Sequence, residues 1–133
     1  MNPDFVFIHT ADGLTLPGLF YGASGSKKAI IRLHGNGNSS IFYPEDPQEE
    51  FAQVLTDAGF TYFPFNNRGA NYVRRLTVHK QDGSSERKLY GMAYELIKDC
   101  VYDIEAATDF LEAKGYNEIY LLGHSSGANK VCV

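Results

Sequence analysis

Gly123-His124-Ser125-Ser126-Gly127 sets a serine between two glycines, each two positions away. An apolar run, EIYLLG, precedes it, and the helix-compatible SGANKVCV follows. This spacing fits a sharp strand-to-helix turn that strains the backbone at Ser125 and lifts its hydroxyl clear of the chain. Side chains two residues before and after such a turn would collide, and Gly123 and Gly127 remove them. A helix opening at Ser126 would aim backbone N–H groups at an oxyanion formed near Ser125. The chemistry is attack by a serine hydroxyl on an acyl carbon. The bland alternative is an ordinary turn serine, since five-residue matches recur by chance. The strand before and the helix after favour the nucleophile.

Two further stretches follow apolar runs in the same way. Leu33-His34-Gly35-Asn36-Gly37-Asn38-Ser39-Ser40 comes after AIIR, and Asn66-Asn67-Arg68-Gly69-Ala70-Asn71 comes after FTYFPF. His34 reads as a brace for its loop, because a base must lie within hydrogen-bond reach of the serine hydroxyl. Arg68-Gly69 reads as loop architecture. Residues 35–40 also echo a glycine-rich dinucleotide loop, but the third glycine is missing. The next helix begins only near Asp46, whereas a pyrophosphate needs a helix N-terminus at hand. Nucleotide binding at 35–40 is therefore the minor alternative.

These stretches need elements to position them. DFVFIHT and LTLPGLFYG flank Ala11-Asp12-Gly13, which predicts an antiparallel hairpin. After a polar loop at 22–28, AIIRLHG reads as a short apolar strand. Asp46 can cap a helix with Pro47 at its first position and Glu49 completing a capping box. Phe51, Val54, Leu55 and Ala58 then share one face, and Gly59 ends the helix. FTYFPF is a strand in which Pro64 argues against a central place. RRLTVHK and SSERKLY around Asp82-Gly83 suggest a second hairpin. Its cations, Arg74, Arg75, Lys80, Arg87 and Lys88, read as a solvated edge that discourages strand pairing, in preference to a lure for acidic substrates. Ile97, Cys100, Val101, Ile104, Ala107 and Leu111 form the apolar stripe of another helix ending at Gly115. Asp99, Asp103, Glu105, Asp109 and Glu112 are assigned to its solvated side. EIYLLG is read as a buried strand. The class is α/β, with a mostly parallel sheet that starts from an antiparallel hairpin and carries helices on both faces.

HGNGN, NNRG and GHSSG occur in the order and approximate spacing of the α/β-hydrolase fold. The sequence resembles the N-terminal half of that superfamily, of the esterase- and lipase-like serine hydrolases, over nearly its whole length. It looks most like the uncharacterised esterase-like branch. The NNRG segment is similar to a D-x-R-G-x-G segment of these enzymes, with asparagine in place of the usual aspartate. The resemblance implies ester or related acyl hydrolysis through an acyl-enzyme on Ser125. The amides of Asn36, with Gly37 as near alternative, and of Ser126 would form the oxyanion hole, supported by Gly35, Gly123 and Gly127. It implies a small-molecule acyl substrate and no metal or organic cofactor.

The family order places an acid and then a histidine after the nucleophile. Residues 126–133 contain neither. This reading expects residues 1–133 to be a single partial domain, a truncated chain with little or no turnover. The rival expectation is a non-catalytic remnant that self-associates through an exposed edge at EIYLLG. The 133 residues suit one domain, and a net charge of -4 argues against nucleic-acid binding. No apolar run approaches the ~20 residues of a membrane span. Cys100 and Cys132 lack metal-ligand spacing, Cys100 reads as a core residue, and no signal peptide is visible. A reduced, cytoplasmic chain without a membrane partner is the expectation.

Overall fold

Strands β1 (Asp4–His9) and β2 (Thr15–Phe20) pair antiparallel about the Ala11-Asp12-Gly13 turn, with His9 opposite Thr15. Gly13 takes φ 99°, a region that suits glycine, and a Cβ there would run into the carbonyl of His79. Beyond the hairpin the order is β3 (Lys28–Leu33), α1 (Gln48–Asp57), β4 (Thr61–Pro64), β5 (Arg74–His79) and β6 (Ser85–Tyr90). Two short 3-10 turns, Met92–Tyr94 and Ile97–Asp99, lead into α2 (Cys100–Ala113), β7 (Glu118–Gly123) and α3 (Ser126–Val131). This computed structural model describes residues 2–42 and 47–133. Asp46, the expected helix cap, lies outside the described residues.

β3 is central in a parallel ladder ordered β4-β3-β7. Bridges from Tyr21 to Tyr62 and from Gly18 to Phe65 join β2 to β4, so the first hairpin continues the sheet. Pro64 is tolerated because it ends a four-residue strand and because those two bridges fall on either side of it. β5 and β6 form a separate antiparallel hairpin inserted after β4.

Alternation along the central strands sends side chains to two layers. Ala29, Ile31, Leu33, Phe63 and Phe65 pack with Ala107 and Leu111 of α2. Phe63 stacks on Phe65 and on Phe110, with centroids 6.0 and 5.1 Å away. On the other face Tyr62 and Ile30 meet Ala52 and Leu55 of α1. Helices therefore cover both faces, as the sequence predicts.

Three expectations about faces are corrected. α1 begins at Gln48, after Pro47 rather than on it, and among the described residues no side chain caps it. It buries Gln48 and Ala52 in place of Phe51 and Val54, and Val54 is 67% exposed. A small alanine lets the helix approach β4 closely, and Gln48 Oε1 accepts a 2.6 Å hydrogen bond from the Tyr62 hydroxyl. Ile97 lies outside α2 and is exposed, while Asp103, assigned to the solvated side, is fully buried. β7 is half-buried: Ile119 and Leu121 join the core, but Tyr120 is 48% exposed on the opposite face. Among the described residues β7 pairs only with β3.

Candidate active site

β7 and α3 meet at Ser125, whose backbone takes φ 56° and ψ −122°. A left-handed φ is unusual for a residue with a side chain and marks local strain. Ser125 is exposed. A Cβ on Gly123 would enter the backbone of Gly127, and one on Gly127 would enter the carbonyls of Leu33 and His34. Both glycines thus serve close backbone approach. The His124 amide donates to the Leu33 carbonyl at 3.1 Å, which continues the β3–β7 ladder up to the turn.

The 34–42 loop leaves the carboxyl end of β3 beside this turn. A Cβ built on Gly35 would stand 3.2 Å from Ser125 Cβ, so bare backbone faces the serine. A turn follows, closed by the Asn38 amide donating to the Gly35 carbonyl at 3.2 Å. Asn36 is exposed at the head of that turn. Among the described residues, the amides of Asn36 and Ser126 donate to no backbone carbonyl. Amides without a backbone acceptor, in the residues that follow Gly35 and Ser125, are the kind of donor a developing oxyanion requires.

His34 is buried, and both ring nitrogens are occupied. The Asn67 amide donates to Nε2 at 3.2 Å, so the ring proton sits on Nδ1 and is donated to the Gly35 carbonyl at 3.0 Å. Burial pushes its pKa down to about 4, with the charges of Lys130 and Arg32 acting in the same sense. The imidazole is a neutral brace and no base for Ser125. Among the described residues no side-chain hydrogen bond reaches Ser125 Oγ.

The NNRG segment holds this loop from below. Asn66 Oδ1 accepts from the Ser40 and Ile41 amides at 2.7 and 3.0 Å, while its Nδ2 donates to the Ile41 carbonyl at 3.0 Å. An aspartate could not make the last bond, which gives the asparagine a physical reason. Asn66→Asp is expected to lower stability by about 1–3 kcal/mol in urea melts at neutral pH. An unchanged midpoint would refute this account of the clamp.

Arg68 is buried architecture, as expected. Its side chain donates to Asp103 Oδ1 and to both oxygens of Asp12 at 2.7–2.9 Å, while its own amide bonds Asp103 Oδ2 at 3.0 Å. Asp12 and Asp103 hold the guanidinium cationic against the cost of burial. Although burial opposes them, hydrogen bonds from Arg68 and Thr10 keep the Asp12 carboxyl below its ordinary value.

Sequence reasoning misses two residues here, Asp103 and Lys130. Lys130 of α3 is 1% exposed and ion-paired with Glu95 at 2.5 Å. Asp103 shares the i, i+3, i+4 rhythm of Cys100, Ala107 and Leu111, which is the one signal that could have placed it inside. The 35–40 loop does not suit a phosphate: the Ser39, Ser40 and Ile41 amides are taken by the side chains of Asn38 and Asn66. Among the described residues no cluster of His, Cys, Asp or Glu could hold a metal ion. A cavity of about 480 Å³ lies between Phe5, Ile41, Phe42 and the start of α1, and Ser125 does not line it.

No protein-family model matches the chain. It is 28% identical over 109 residues to the tear acid lipase-like protein of Mesocricetus auratus, covering 80% of this chain and 26% of that protein. Human lysosomal acid lipase/cholesteryl ester hydrolase is 29% identical over 105 residues, covering 77% and 25%. Human gastric triacylglycerol lipase is 27% identical over 108 residues, covering 80% and 26%. The chain thus spans about a quarter of the length of these curated relatives. Among solved structures, the esterase Pf2001 of Pyrococcus furiosus superposes with a TM-score of 0.69 at 22% identity, over 98% of this chain and 45% of that one. The α/β hydrolase GrgF from Penicillium sp. sh18 gives a TM-score of 0.71 at 21% identity, over 98% and 40%. With its hairpin-led parallel sheet the chain has part of the α/β-hydrolase fold, and in sequence it is similar to lipases.

Proposed function

We propose that this chain carries the nucleophile and oxyanion hole of an enzyme that hydrolyses carboxylic esters through an acyl-enzyme on Ser125. The observation that supports this most directly is the strained, exposed Ser125 facing the bare backbone of Gly35, with the next residue after each, Asn36 and Ser126, donating its amide to no backbone carbonyl among the described residues. The lipase and esterase relatives suit the same chemistry.

In this mechanism Ser125 Oγ bonds to the acyl carbon and gives its proton to a base. The carbonyl electrons move onto oxygen, where the Asn36 and Ser126 amides hold the resulting charge; each such donor is worth about 3 kcal/mol. Collapse re-forms the carbonyl and expels the alcohol, which takes the proton back. Water then releases the acid by the same route. His34 cannot be the base, since its Nδ1 proton and Nε2 lone pair are both committed. Among the described residues no side chain hydrogen-bonds Ser125 Oγ, so labelling of this serine is expected to be slow until a base is added.

A fluorophosphonate probe tests the reading. Phosphonylation is expected at Ser125, slow in buffer and raised about tenfold or more by added imidazole acting as an external base. Ser125→Ala should abolish it, as read by mass spectrometry of the labelled peptide. Label on another residue, or equal labelling of the alanine variant, would overturn the assignment.

A further inference from the structure

We propose that the Glu95–Lys130 ion pair is a positioning device: it fixes the 35–38 turn against the Ser125 elbow and ties both to the chain leaving the inserted hairpin. The proposal rests on the reading of Ser125 and Asn36 given above.

Lys130 stands four residues after Ser126 on α3, and a helical side chain leans toward the N-terminus of its helix. Its ammonium is therefore carried back beneath the elbow, out of water. A buried ammonium is costly without partners. Among the described residues it has two: Glu95 Oε2 at 2.5 Å and Asn67 Oδ1 at 3.4 Å. The same Asn67 oxygen accepts the Gly69 amide at 2.9 Å, and the Asn67 amide donates to His34 Nε2. His34 in turn donates to the Gly35 carbonyl, which also receives the Asn38 amide that closes the turn. The connection is unbroken from Glu95 through α3 to the turn that presents Asn36.

Its other end is anchored as firmly. Glu95 follows the Met92–Tyr94 turn, which is pinned by the Gly91 amide on the Arg68 carbonyl and the Met92 amide on the Asn71 carbonyl, at 3.0 and 2.9 Å. Gly69 leaves the room that Glu95 fills, since a Cβ there would meet its carboxylate. Met92 Sδ lies 3.6 Å from where a Cβ of Gly37 would stand, so the same segment also touches the turn directly. The Glu95 side chain is 5% exposed. A pair needed only to neutralise a stray lysine would not have to share Asn67 with the oxyanion-type loop.

Lys130→Met alone strands a buried carboxylate and can fail to fold, so the decisive variant is the double substitution Glu95→Gln/Lys130→Met. Two measurements on the full chain are compared with the unmodified protein. In amide hydrogen exchange by NMR, Asn38 and Asn67 are expected to exchange about tenfold faster in the double variant, while β3 and α2 stay protected. In saturating fluorophosphonate labelling with imidazole, the limiting rate at Ser125 is expected to fall on the order of a hundredfold, with little change in the half-saturating concentration. Unchanged exchange at Asn38 and Asn67 overturns the proposal. So does faster exchange with an undiminished labelling rate, which leaves the pair a purely structural role. If the unmodified protein is not labelled at all, the reading of Ser125 falls, and the exchange result alone still decides whether Lys130 holds the turn.

Discussion

Arg68→Met is expected to lower folding stability by about 3–5 kcal/mol, the usual result of leaving a buried charge unpaired. Asp103 is fully buried and would lose the guanidinium that bonds its Oδ1, keeping only the main-chain N–H of residue 68 on Oδ2. Asp12 loses its bidentate partner in the same step, and the first hairpin loses its side-chain tie to the 66–71 loop. Against a total of about 5–15 kcal/mol for a domain of this size, such a loss brings unfolding close to ambient conditions. The double variant Arg68→Met/Asp103→Asn should recover a large part, because it removes the orphaned charge. Urea melts of the single and double variants measure both effects. A single-variant loss below about 1 kcal/mol, the range of an exposed pair, would show that the network is not sealed from water.

The second large effect is a dependence on acid. His34 titrates near 6.5 when unfolded and at about 4 in the folded chain, because burial disfavours the imidazolium. Between those values the unfolded chain binds a proton that the folded chain refuses. Stability from this residue is complete above pH 6.5, declines as pH falls toward 4, and is flat below. The integrated change is about 3 kcal/mol. Asp12, whose carboxyl is held below its ordinary value, acts at lower pH still. Melts of the unmodified protein and of His34→Gln between pH 7 and 4 separate the contributions, since only the former should show this slope. Parallel curves would mean that His34 is charged when folded, which would also undo its assignment as a neutral brace.

Both effects arise from polar residues that face inward, and these are where the sequence is least legible. Strands, hairpin turns and the helix–strand alternation follow local rules: a turn at Asp12-Gly13 or Asp82-Gly83, apolar runs such as AIIRL, and a glycine at the end of α2. The elbow is legible for the same reason, because two glycines at fixed spacing report one tight turn. α1 misleads because the larger apolar residues, Phe51 and Val54, draw attention from the small Ala52 that lets the helix reach β4. Asp103 and Lys130 are hidden for another reason. Each is buried only because a partner 35 residues away in the chain meets it, and nothing in the local pattern announces that partner. His34 lies between these cases: its place in a loop after a strand is visible, but the Asn67 amide that blocks Nε2 is not.

The near approach of Gly35 to Ser125 bears on how such a site can change. The gap between the two halves is gauged by a bare α-carbon and the serine's own Cβ. Exposed residues nearby, such as Asn36, can therefore vary while this spacing stays fixed. Alteration at Gly35 itself is another matter: even a methyl group there would press on the Ser125 side chain from 3.2 Å, a tighter contact than a Cβ ordinarily makes.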